Sequence, residues 1–91
     1  MKDIQKRIWD NKVKHNFNTT DVNQEFCYVY AEIAEAYDAW YKKKGDVGEE
    51  IADVAIFLYG LSEMLGVDLD REIIKKIKIN ERRVYKNGLK V

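Results

Sequence analysis

The chain has 91 residues, 46% of them hydrophobic and 35% charged, a composition typical of one folded domain rather than a disordered segment. Its 16 basic and 16 acidic residues cancel, so net charge gives no argument for binding nucleic acid or an anionic membrane. One cysteine excludes an internal disulfide, and no apolar run is long enough to cross a bilayer, so we expect a cytoplasmic protein. So small a domain buries little surface, which favours a homo-oligomer.

The absence of proline and the many strong helix formers predict an all-α fold. Hydrophobic periodicity and capping residues predict four helices, at about residues 2–12, 20–44, 47–65 and 68–85. Thr19, Thr20 or Asp21 is expected to cap the second helix, Asp46 the third and Asp68 the fourth. The tail after Asn87 is expected to fray. Short connections between the later helices predict antiparallel neighbours in a four-helix bundle.

The third predicted helix carries carboxylates among apolar residues. Asp53 is the only charge between Ile51 and Leu61, and Glu50 lies one turn before it on the same face. A helix that is apolar nearly all round is normally buried. Buried carboxylates are costly unless they are protonated, paired or bound to metal.

Glu32 and Glu35 have the same spacing on the second helix, beside small alanines that allow another helix to approach. Any one such pair is more often a solvated helix face. If the two helices pack antiparallel, however, the four carboxylates converge, and at an effective dielectric of ~20 two like charges ~4 Å apart cost about 4 kcal/mol. Hard cations remove this cost, so the pattern predicts a site for Mg²⁺, or alternatively Mn²⁺, and favours phosphate chemistry.

The pattern Glu32-x-x-Glu35 followed by Glu50-x-x-Asp53 resembles the MazG-like nucleotide pyrophosphohydrolases, an all-α family. The resemblance implies a single MazG-like domain over residues 1–91, with these four carboxylates binding Mg²⁺. It also implies hydrolysis of a nucleoside triphosphate to the monophosphate and pyrophosphate, with Glu35 or Glu50 orienting or deprotonating the attacking water. The family commonly has a further Glu where this chain has Ala31, which leaves the ligand set intact.

Features at both ends extend the resemblance. On the last helix Lys76, Asn80 and Arg83 share one face, and the resemblance implies that they bind phosphate. Near the beginning, Trp9 or Phe17 would stack on the base, although each is more often a core residue. The expected partners are the nucleoside triphosphate and further copies of the chain, as a homodimer or homotetramer.

Three other functions were weighed. A non-catalytic module on the same fold, binding nucleotide or protein, is the main alternative because of Ala31. A di-iron bundle would need Glu-x-x-His, which the sequence lacks. A DNA-binding helix-turn-helix is disfavoured because the basic residues concentrate on one helix beside apolar positions, so nucleic acid is not expected as a partner.

Overall fold

The computed structural model describes residues 2–91, and Met1 lies outside this range. Four helices confirm the all-α fold class, and a short hairpin follows them. The elements are α1 (Lys2–Lys14), α2 (Val22–Tyr41), α3 (Val47–Met64), α4 (Leu69–Arg82), β1 (Tyr85–Lys86) and β2 (Leu89–Lys90). Within the described chain, no helix combines the length and the apolar character that crossing a membrane requires.

Two of the predicted helix caps form and one does not. Asp21 accepts a hydrogen bond from the Gln24 amide at 3.0 Å, and Asp68 accepts one from the Arg71 amide at 3.2 Å. Asp46 precedes α3 but makes no side-chain capping bond, and its backbone lies at φ −116° and ψ 21°. The prediction that Asp46 caps α3 is therefore wrong.

The second helix ends earlier than the predicted residue 44. Lys43 takes a positive φ of 54°, and the Lys44 amide bonds back to the Ala39 carbonyl at 3.0 Å. This backward bond closes the helix because it satisfies a carbonyl that has no partner further along the chain.

The end of the chain also differs from the prediction. The fourth helix stops at Arg82 instead of continuing to residue 85, and the tail expected to fray pairs as an antiparallel hairpin. Its turn residues Asn87 and Gly88 have φ values of 54° and 79°. Asn-Gly is the pair that favours a tight hairpin turn, because both residues tolerate positive φ.

The main packing is between α2 and α3, with α1 against α3. A short loop, residues 42–46, joins α2 to α3, so the two helices run antiparallel. Most of α4 is exposed, and its first turn attaches it: the Leu69 amide donates to the Gln5 side chain at 3.0 Å, and Tyr59 donates to Asp70. The Gln5 amide group also donates to the Val67 carbonyl at 2.7 Å, which clamps α1 to the α3–α4 turn.

The expectation that α3 is buried nearly all round is wrong for the single chain. Ile51, Ile56 and Leu58 are 58%, 44% and 38% exposed. Two packed neighbours cover only part of a helix surface. Helix α3 therefore has more apolar surface than the other helices of one chain cover.

Candidate metal centre

Three of the four predicted carboxylates converge between α2 and α3. One oxygen from each of Glu32, Glu35 and Glu50 lies within 4.8 Å of the others. Glu32 and Glu50 are half-buried, whereas Glu35 is exposed. Asp53, half-buried one turn after Glu50, lies close enough for its charge to act on both Glu32 and Glu50.

The electrostatics of this group are those of crowded like charges. Burial and the neighbouring Glu35 charge raise the pKa of Glu32, with smaller contributions from Asp53 and Glu50. Burial and the Glu35 charge likewise raise the pKa of Glu50, and Lys44 opposes this only in part. The carboxylates therefore repel one another in the absence of a cation.

Buried oxygens without hydrogen-bond partners mark the same place. Among the described residues these are Glu32 Oε2, Glu50 Oε2 and Asp46 Oδ1. Leaving such an atom unsatisfied costs free energy, so buried polar atoms are nearly always paired. A divalent cation would satisfy these oxygens and remove the repulsion, because hard cations take carboxylate oxygens as ligands. The donor set therefore fits such an ion.

Asp46 is a further carboxylate at this place, although the sequence predicts it as a helix cap and not as part of the centre. The charge of Asp46 raises the pKa of Glu50. Lys44, in the same loop, pairs with Asp38 at 3.0 Å instead of with Asp46. The signal was present in the spacing: Asp46, Glu50 and Asp53 follow one another at four and three residues, which is one face of a helix.

A cavity of about 1020 Å³ is lined by residues of the same two helices, α2 and α3, although none of the four carboxylates lines it. Tyr28 lies one turn before Glu32 on α2, Phe57 lies one turn after Asp53 on α3, and both line the cavity. Their rings contact each other edge to face, with centroids 6.1 Å apart. The cavity is large enough for a small-molecule ligand.

The two aromatic residues predicted to contact a base are separated. Phe17 lines this cavity, together with the side chains of Asn11, Asn16 and Gln24. Trp9 lines a different cavity, of about 500 Å³, on the side of α1 that faces the α3–α4 turn.

Comparison with known proteins places the chain in a family. A sequence model described as the MazG-like family matches residues 24–89. This chain belongs to the MazG-like family. A protein of Salmonella phage PMBT28, described as a dATP/dGTP diphosphohydrolase, is 33% identical over 85 residues. That match covers 91% of this chain but 27% of the phage protein, so the chain spans about a quarter of its relative. No solved structure matches significantly.

The MazG-like match includes α2, α3 and α4, whereas α1 and the loop after it precede residue 24. Within the matched part, Lys76 and Asn80 lie on α4, and Arg83 directly follows its last residue and donates to Asn80 at 3.2 Å. None of these three residues lines either cavity described above. The single chain does not bring them to the carboxylates.

Proposed function

We propose that this chain is a metal-dependent nucleoside triphosphate pyrophosphohydrolase, which releases a nucleoside monophosphate and pyrophosphate. The observation that carries the proposal is the convergence of Glu32, Glu35 and Glu50, with a cavity large enough for a small-molecule ligand further along the same two helices. Membership in the MazG-like family supports it. The name of the phage relative makes dATP and dGTP the first substrates to test.

Mg²⁺, with Mn²⁺ as the alternative, is the proposed cofactor, and Glu32, Glu35, Glu50 and Asp53 are its proposed ligands. The buried oxygens of Glu32 and Glu50 that lack partners support this assignment. A divalent ion held by these residues would supply positive charge against the phosphates and lower the pKa of a water. Glu35, which is exposed, and Glu50 are the groups proposed to orient the attacking water or to accept its proton.

The cavity is the proposed place for the base, with Phe17 as the stacking residue rather than Trp9. The amides of Asn11, Asn16 and Gln24 face it, and their side chains make no hydrogen bond within the described chain. Amides that are free in this way offer donors and acceptors to the edge of a base.

A homodimer or homotetramer is the proposed working form. An apolar stripe on α2 stays exposed in the single chain, with Tyr30, Tyr37 and Trp40 at 72%, 61% and 63%. Stripes of this kind mark interaction sites. The phosphate contacts proposed for Lys76, Asn80 and Arg83 would then come from α4 of a neighbouring copy. The predicted cytoplasmic location stays a prediction.

The proposal is tested by pyrophosphate release from a panel of ribo- and deoxynucleoside triphosphates with Mg²⁺ or Mn²⁺. Asp53→Asn and Glu50→Gln are expected to lower turnover by about 100-fold or more, the scale on which removal of one group that stabilises developing charge acts. Glu49→Gln is the matched control, because Glu49 is exposed on the same turn of α3 and outside the cluster. Turnover unchanged in all three variants contradicts the assignment.

Metal-dependent nucleotide binding without turnover would instead favour the non-catalytic module. Ala31, exposed where the family commonly has a carboxylate, is the feature that keeps this alternative in the test. Light scattering of the purified chain measures the oligomeric state, and a monomer at micromolar concentration would contradict the proposed assembly.

A further inference from the structure

A second pair of buried charges lies outside the carboxylate centre. Glu25 on α2 is fully buried, and Lys12 on α1 is 7% exposed. Lys12 Nζ donates to Glu25 Oε2 at 2.9 Å, and the other oxygen of Glu25 accepts a hydrogen bond from Asn18 Nδ2 at 3.1 Å. Both oxygens of this carboxylate are therefore satisfied within the chain.

Asn18 connects the pair to the loop between α1 and α2. Its Nδ2 also donates to the Asp21 carbonyl at 2.7 Å, and its Oδ1 accepts from the Asp21 amide at 3.0 Å. The loop therefore folds around one amide side chain, and Glu25 fixes that side chain from α2. Because the half-buried Asn18 side chain bonds to Asp21 within the loop and to the buried Glu25, the loop has little freedom to move.

Lys12 holds the other side of the same loop through its backbone. Its carbonyl accepts the Phe17 amide at 2.9 Å, and Asn16 just before Phe17 takes a positive φ of 55°. Phe17 therefore lies between Lys12 and Asn18, and all three residues line the large cavity.

Gly60 on α3 leaves room for the Lys12 side chain, because glycine has no Cβ. A Cβ added to Gly60 would lie 3.2 Å from both Cδ and Cε of Lys12, closer than ordinary packing distance. A larger residue at position 60 would therefore require the Lys12 side chain to shift by a few tenths of an ångström. Residues of three helices combine to place the network under the loop.

A buried ion pair is weak evidence for stability, since apolar residues of similar volume often do as well or better. The bonds of this pair go instead to the segment that carries an aromatic residue into the cavity. We propose that Lys12, Glu25 and Asn18 are positioning residues that hold Phe17 against the nucleotide base and so set nucleotide affinity. This proposal rests on the proposed function, because it needs a nucleotide in the cavity.

The first test is Asn18→Ala, which removes the connection while Lys12 and Glu25 stay paired. We expect the KM for the nucleotide to rise about tenfold, the scale of one lost base–aromatic stack, with kcat within about twofold of the unmodified protein. Phe17→Ala should give a similar rise. The variant that combines both should add nothing further, because both substitutions remove the same contact.

The second test removes both buried charges with Lys12→Met/Glu25→Met, which keeps the volume and avoids an unpaired charge. We expect the same rise in KM and faster hydrogen exchange at the Phe17 and Asp21 amides. The control is Lys6→Met/Asp10→Asn, which removes an exposed pair from the same helix, 2.7 Å apart. It should leave KM and exchange unchanged.

Several outcomes overturn the proposal. One is a KM that stays within about twofold in Asn18→Ala. Another is a full second rise when Phe17→Ala is added, since independent contacts are additive. A wild-type chain that neither binds nor hydrolyses any nucleotide overturns the proposed function as well. A wild-type chain that hydrolyses nucleotide while Asn18→Ala retains its KM overturns the positioning role alone.

Discussion

Glu25 and Glu32 lie two turns apart on α2, both shielded from solvent, but their surroundings are opposite. Glu25 is fully buried, and Lys12 and Asn18 bond to its two oxygens. Glu32 is half-buried, its Oε2 has no partner within the described chain, and its charged neighbours are carboxylates. The more deeply buried group is the satisfied one, so depth alone does not mark a functional site.

The comparison between Glu25 and Glu32 shows which property does mark a functional site. A carboxylate that is paired with a cationic side chain of the same chain needs no ion from solvent. A carboxylate that the chain leaves unpaired needs a cation from outside. The two glutamates should therefore respond in opposite ways to mutation and to added metal. The predictions below use this contrast, from the largest expected effect to the smallest.

Lys12→Met is expected to have the largest effect on stability. It leaves Glu25 buried without its cation, and breaking a buried pair in this way costs about 3–5 kcal/mol of unfolding free energy. Urea denaturation measures the loss. Lys6→Met provides the control, because its pair with Asp10 is exposed and such pairs contribute about 0–1 kcal/mol. Equal losses in the two variants would show that burial of the Lys12–Glu25 pair is unimportant.

Glu32→Gln is expected to behave in the opposite way. Without metal it should leave the unfolding free energy unchanged or raise it, because it removes a repelled charge. The unmodified protein should gain about 2.7 kcal/mol when Mg²⁺ or Mn²⁺ is present at about 100 times its dissociation constant. The variant should lose most of that gain. Melting curves with and without metal measure both effects, and a variant that melts like wild type in both conditions contradicts the proposed centre.

Gly60→Ala tests how firmly the satisfied pair holds its place. Alanine should favour a helix by about 1 kcal/mol over glycine, but here its Cβ would crowd Lys12, whose ammonium is fixed by Glu25. We expect overpacking to cost about 2 kcal/mol, the middle of its usual range, and so to outweigh the helix gain, for a net loss of stability of about 1 kcal/mol in the native background. In the Lys12→Met/Glu25→Met background the same substitution should lose less or become stabilising. An identical effect in both backgrounds would show that Lys12 adapts freely.

The sequence predicts the centre better than it predicts the pair, for a physical reason. The spacings Glu32–Glu35 and Glu50–Asp53 are local, and helical geometry turns them directly into shared faces. The Lys12–Glu25 contact joins two helices across a loop whose path depends on Asn18. No periodicity in the sequence encodes that path.

The errors have equally specific causes. The prediction of a frayed tail after Asn87 fails because Asn87-Gly88 is a strong hairpin signal, and the flanking residues pair. The apolar pattern of α3 predicts that its surface is buried. The pattern does not tell whether the same chain or another molecule covers that surface. Arg83 was expected to share a helix face with Lys76, but α4 ends before it and its backbone is extended. Helical spacing also gives no information about where a helix lies.

Asp21 and Asp46 offer the smallest and last contrast, between a carboxylate that caps a helix and one that does not. Asp21→Ala removes the bond to the Gln24 amide and should cost about 1 kcal/mol of unfolding free energy. Asp46→Ala removes no capping bond. It loses the favourable interaction of a negative charge with the N-terminus of α3, about 0.3–1 kcal/mol, but it also relieves the repulsion on Glu50, so without metal the net change should be close to zero. Because asparagine also caps helices well, Asp46→Asn and Asp46→Ala should be equal if Asp46 does not cap. A loss of about 1 kcal/mol in Asp46→Ala alone would restore it as a cap.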